Sequence, residues 1–173
     1  MATTTPGTAT PLLATATTAT TATTAACEPA QPSTRRPWLL RRWPTGVGLV
    51  LAVASVAAMT LLPEPARPWV GAWWVLTAEV VYLSWGTARG DLGERRWLTA
   101  ETAGVLAFGA VALAVVAVDP SSAAHVMAAG WLAHALWDVA HHRADKVVPR
   151  WYAEACLATD LTVAASLLTI GLV

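Results

Sequence analysis

Five apolar segments, with positive charge gathered on one side of them, leave this chain few ways to fold. They span residues 46–62, 69–85, 98–118, 121–142 and 151–173, each 17–23 residues long. About 20 residues cross a hydrocarbon core of roughly 30 Å. Arg35, Arg36, Arg41 and Arg42 precede the first segment. Arg89, Arg95 and Arg96 separate the second from the third, and Arg143, Lys146 and Arg150 separate the fourth from the fifth. Only Arg67 breaks the pattern, so ten of the eleven Lys and Arg residues obey one topology. Lys and Arg are held back from translocation. The sequence therefore predicts an all-α, polytopic membrane bundle of about five transmembrane helices, N-terminus cytoplasmic and C-terminus outside.

Composition supports a multi-pass protein of the cell membrane. Hydrophobic residues make up 55% of the chain and charged residues 13%, against about a quarter charged in soluble domains. Trp38, Trp43, Trp69, Trp85, Trp97 and Trp151 lie at segment ends, where an indole buries its ring and still hydrogen-bonds at the headgroups. Membrane lipids are thus the expected surroundings. A net charge of zero gives no basic footprint for nucleic acid. Residues 1–34 read as a disordered Thr/Ala-rich tail, too poor in apolar surface to offset the entropy of ordering. Residues 35–45 form a basic, Trp-bearing interfacial collar, and 46–173 the bundle.

Chemistry concentrates in the fourth segment, which reads His134-Ala135-Leu136-Trp137-Asp138-Val139-Ala140-His141-His142. At about 100° per residue, His134, Asp138 and His141 share one helical face. Two imidazoles and a carboxylate are ligand types that suit zinc or iron. The sequence therefore predicts one divalent transition metal on His134, Asp138 and His141. The other reading of the same residues is that Asp138 orients an imidazole working as general acid or base.

Three further acids fall at a similar depth. Glu79 lies about seven residues from the inner end of the second segment, Glu101 about four into the third, and Asp160 about nine into the fifth. With a rise of about 1.5 Å per residue these share the cytoplasmic half of the bundle. A carboxylate inside a span costs about 2.5–3.5 kcal/mol on insertion scales unless it faces partners or water. Glu79, Asp138, Asp160 and His134 are accordingly the predicted catalytic set. Glu101, near a helix start, reads first as a favourable charge at the positive end of the helix dipole. Cys156 reads as a small buried residue.

The run from His134 to His142, followed by Arg143, Pro149, Trp151, Tyr152, Cys156 and Asp160, resembles a family of small, uncharacterised bacterial integral membrane proteins with a HAxWDxxHH signature. That resemblance implies a polytopic helical protein of the bacterial inner membrane and supplies no reaction. In size and buried acids alone the chain is also similar to membrane-integrated terpene cyclases, in which a carboxylic acid protonates an epoxide or alkene. The expected function is an enzyme acting on a hydrophobic small molecule, lipid or isoprenoid-like. Metal-assisted hydrolysis and acid/base chemistry of the cyclase or isomerase type both fit. The alternative is a non-enzymatic binding or proton-coupled transport component, with the same acids as a relay.

Overall fold

The computed structural model describes residues 41–170. The 1–34 tail, most of the 35–45 collar and residues 171–173 lie outside them. Five helices account for nearly all the rest: α1 (Trp43–Leu61), α2 (Arg67–Arg89), α3 (Arg95–Ala117), α4 (Pro120–Ala144) and α5 (Arg150–Ile170). Short 3-10 turns at Glu64–Ala66 and Asp91–Gly93 precede α2 and α3. Local signals explain the boundaries. Pro44 sits in the first turn of α1, where a missing N–H is no loss. Asp119 caps α4, its carboxylate accepting from the Ser122 backbone N–H at 3.1 Å. With Ser121 and Ser122 both donating to it, the Asp119 carboxyl is pushed down to about 2.

The helix α2 runs further than the apolar pattern suggests. The second apolar segment ends at Trp85, whereas the helix continues through Gly86 to Arg89. Gly86 is pressed against Leu92 and Val147, and that packing outweighs a weak glycine propensity. Termination falls to Gly90, at φ 74°.

Polar residues face inward and large apolar ones outward. Val50 on α1, Trp73 on α2, Leu113 on α3, Leu136 on α4 and Ile170 on α5 are each at least 60% exposed. In water so much apolar surface would drive association, whereas in a bilayer it meets hydrocarbon. The helices α1, α3 and α5 are long and apolar enough to cross a membrane. The other two, α2 and α4, carry Arg67, Glu79 and Arg89, and His134, Asp138 and His141, respectively.

The helix α5 packs against α1 and α4, α2 packs against α3, and both α2 and α3 rest on α4. The main core gathers Ala52, Val75, Phe108, Val115, Met127 and Trp131. A second cluster joins Tyr82 to Val147, Val148 and Ala153, at the end of the bundle closed by the 90–94 and 145–149 loops.

Asp91 ties those two loops together. Its carboxylate accepts from Lys146 Nζ at 3.0 Å, the Val147 N–H at 2.9 Å and Arg89 Nε at 3.2 Å. Burial raises the Asp91 carboxyl, but these donors outweigh it and hold it below the usual carboxylate range. Lys146 is raised by its hydrogen bonds to Asp91 and Glu94. Val147 takes φ 69°, a left-handed backbone that a β-branched residue rarely adopts. Its side chain is wholly buried, so the latch and the packing hold it there against backbone strain.

Candidate functional site

Four helices deliver acids or imidazoles to one buried region beneath the 90–94 and 145–149 loops. Glu79 comes from α2, Glu101 from α3, His134, Asp138 and His141 from α4, and Asp160 from α5. None is more than 2% exposed. Their burial follows from position. Glu101 recurs with Gly104, Phe108, Ala112 and Val115 on the buried stripe of α3, at helical spacing. His134, Asp138 and His141 continue the stripe that begins at Ala123, Met127 and Trp131 on α4.

The centre is His134. Its Nδ1 lies 2.8 Å from Asp160 Oδ2 and 3.6 Å from Asp138 Oδ1. Its Nε2 lies 3.8 Å from Glu79 Oε2. The Tyr82 hydroxyl donates to Asp138 Oδ1. One ligand atom from each of His134, Asp138 and Asp160 lies within 4.8 Å of the others, and the three can hold a metal ion. Ligand atoms about 2.0–2.1 Å from a tetrahedral zinc are separated by about 3.3 Å. The distances from His134 Nδ1 to Asp160 and Asp138, 2.8 and 3.6 Å, straddle that value.

His141 belongs elsewhere. Its Nε2 lies 2.8 Å from Glu101 Oε1, and its Nδ1 lies 2.9 Å from the Trp137 carbonyl oxygen. The residue that the geometry groups with His134 and Asp138 is therefore Asp160, while the predicted third ligand, His141, pairs with Glu101. Rise along the helix is the reason. Seven residues separate His134 from His141, about 10.5 Å at 1.5 Å per residue, so a shared face does not bring both imidazoles to one ion. Glu101 departs further from expectation. It is no helix-end charge at the surface but a wholly buried partner of His141.

Several buried polar atoms have no hydrogen-bond partner among the described residues: both oxygens of Glu79, Glu101 Oε2, His134 Nε2 and Asp138 Oδ2. The indole nitrogens of Trp97 and Trp137 share that condition. Orphans of this kind are rare in a settled interior, and here they crowd around two histidines. The Glu79 carboxylate abuts Gly104, where any Cβ would overlap it. Two contributors escaped the sequence reading. They are Tyr82, whose hydroxyl donates to Asp138, and Gly104, whose missing side chain leaves room for the Glu79 carboxylate.

The sequence matches a family of unknown function, DUF6010, over residues 45–172, and the chain belongs to that family. No curated protein and no solved structure matches it.

Proposed function

We propose, for this member of a family without an assigned function, an intramembrane enzyme acting on a lipid or isoprenoid-like substrate. All five helices cross the membrane in this reading, the N-terminus is cytoplasmic, and HAxWDxxHH is the signature of the site. One observation carries it: the convergence of His134, Asp138 and Asp160 within 4.8 Å, at no more than 2% exposure. A bound divalent transition metal would supply an activated water and polarise a carbonyl or phosphoryl oxygen. Asp160 and Asp138 both approach His134 at Nδ1, and the Tyr82 hydroxyl fixes Asp138 in turn. Glu79 is the general base. Its two oxygens have no partner among the described residues, and one lies 3.8 Å from His134 Nε2.

A groove of about 480 Å³ between α2 and α3 supports a hydrocarbon-bearing substrate. It is lined by Trp69, Trp73, Leu76, Leu106, Gly109 and Leu113, among other apolar residues. The carboxylates do not line it, but Leu76 lies three residues, close to one helical turn, before Glu79. A second reading, a proton relay, draws on the line Asp160–His134–Glu79.

Protein purified without chelator and assayed for bound metal separates the two readings. The enzyme reading expects transition metal on the wild type and its loss in His134→Ala. Reconstituted wild type should then consume a component of a bacterial lipid extract that Glu79→Gln leaves intact. Folded, thermally stable wild type devoid of metal would overturn the metal enzyme and leave the relay.

A further inference from the structure

We infer that the 145–149 loop is a gate: latched by Asp91, it closes the aqueous approach to the His134 site, and it opens to admit the metal ion. The inference rests on the metal reading above and goes beyond it, to how an ion reaches ligands that no water touches.

The site needs such a route. His134, Asp138 and Asp160 are at most 2% exposed, and the groove between α2 and α3 is lined by apolar residues with no carboxylate among them. Taking a divalent ion out of water and through hydrocarbon is prohibitively costly. The ion must arrive from the charged end of the bundle, where Arg89, Arg95, Arg96, Arg143 and Arg150 flank the 90–94 and 145–149 loops in sequence. At that end Val147 and Val148, both wholly buried, pack on Tyr82. The Tyr82 hydroxyl in turn donates to Asp138. A pair of valines and one phenol ring thus stand between the loop and a ligand carboxylate.

The loop holds strain that opening would release. The Val148 N–H donates to the Lys146 carbonyl at 2.8 Å, with Val147 between them at φ 69°. This is a γ-turn of the positive-φ kind, the rare and strained form, and it falls on a β-branched residue. Asp145 is also left-handed, at φ 52°. Release of the turn lets Val147 return to a relaxed backbone, which favours the open state.

Polar contacts oppose that release. Arg89 Nη2 donates to the Asp145 carbonyl at 3.4 Å, Asp91 accepts from Lys146 and from the Val147 N–H, and Glu94 accepts from Lys146 at 3.1 Å. The Lys146 and Glu94 side chains are 34% and 46% exposed, so water competes for their bond. Gly86 supplies the seat, since a Cβ there would meet Val147 Cγ1 at 3.1 Å. A strained turn held down by contacts that water can replace is what a locally opening lid requires.

A gate changes rates and leaves affinity alone. The full chain in detergent is loaded with Zn²⁺ and mixed with excess EDTA, and release is followed in time. Asp91→Asn should release the ion about tenfold faster or more, with its equilibrium affinity for Zn²⁺ unchanged. The converse uses Lys146, the only lysine in the chain. Carbodiimide should condense its Nζ with the carboxylate of Asp91 or Glu94, with loss of water, and lock the loop shut. Locked wild type should release Zn²⁺ about tenfold more slowly or more, while Lys146→Arg treated alike should not slow. Equal release from wild type, Asp91→Asn and locked protein would overturn the gate and leave the metal reading standing. Faster release matched by an equal loss of affinity would also overturn it, because Asp91 would then be shaping the site. If Asp91→Asn fails to fold, the locked wild type decides alone. Wild type that takes up no Zn²⁺ overturns both readings.

Discussion

The Tyr82 hydroxyl donates to Oδ1 of Asp138 across the seam between α2 and α4, while Oδ2 of the same carboxylate has no partner among the described residues. Tyr82 thus fixes which oxygen of Asp138 is free. Tyr82→Phe removes that hydrogen bond and keeps the ring packed on Val147 and Val148. The fold should lose only about 1 kcal/mol. Metal affinity should fall more, by about 10–100-fold, as with other groups that orient a ligand. Thermal unfolding and Zn²⁺ titration read the two effects separately. A large loss of stability with unchanged affinity would make Tyr82 a packing residue only.

Gly104 gives a steric test of Glu79. A methyl group there would overlap the Glu79 carboxylate, whereas one at Gly109 would meet nothing nearer than Leu76 Cδ1 at 4.0 Å. Gly104→Ala should destabilise the bundle by about 1–3 kcal/mol through overpacking and reduce activity or metal loading. Gly109→Ala should change stability little and leave loading intact. Equal behaviour of the two variants would show that Glu79 has room to move and is not held where the site requires.

The helices and the depth of the polar residues were legible because both are written in one dimension. Apolar run length and the 3.6-residue repeat set α1 to α5, and insertion cost forced Glu79, Asp138 and Asp160 to seek partners. Pairing is written in three dimensions. The angular count put His141 with His134, and only axial rise separates them. Glu101 looked like a dipole charge because its partner lies 40 residues away on α4. Tyr82 gave no sign, since an aromatic residue one turn from an acid is what a core also contains. Gly104 acts by having no side chain, which no periodicity can reveal.

Orientation is open to direct measurement. With ten of eleven Lys and Arg residues on one side of the apolar segments, a reporter active only in the cytoplasm should work at the N-terminus and fail when fused after Val173. Moving the bias should move the bundle. Replacing Arg89, Arg95 and Arg96 with Asn should give mixed orientations if these residues hold the α2–α3 loop inside. A C-terminal reporter active in the cytoplasm would overturn five passes.

The Asp91 latch predicts a pH window for the end of the bundle. Asp91 is held below its ordinary 3.8, so its contribution is present above pH 3.8 and lost as pH falls through the lower folded value. Lys146 is raised above 10.5, so its contribution is present below pH 10.5 and lost as pH rises through the higher folded value. Between those limits both groups keep the 145–149 loop closed over Tyr82. Hydrogen exchange in that loop, corrected for the intrinsic pH dependence, should be slow and level across the window and rise outside it. Asp91→Asn leaves the Val147 N–H and Lys146 without their carboxylate. The strained backbone at Val147 then loses its anchor, exchange in 145–149 should rise throughout the neutral range, and the acid-side transition should vanish. The far end of α1, where Met59 packs into the main core, should exchange as before. Unchanged exchange in Asp91→Asn would mean that buried Val147 and Val148, and not the ionic latch, keep the loop down.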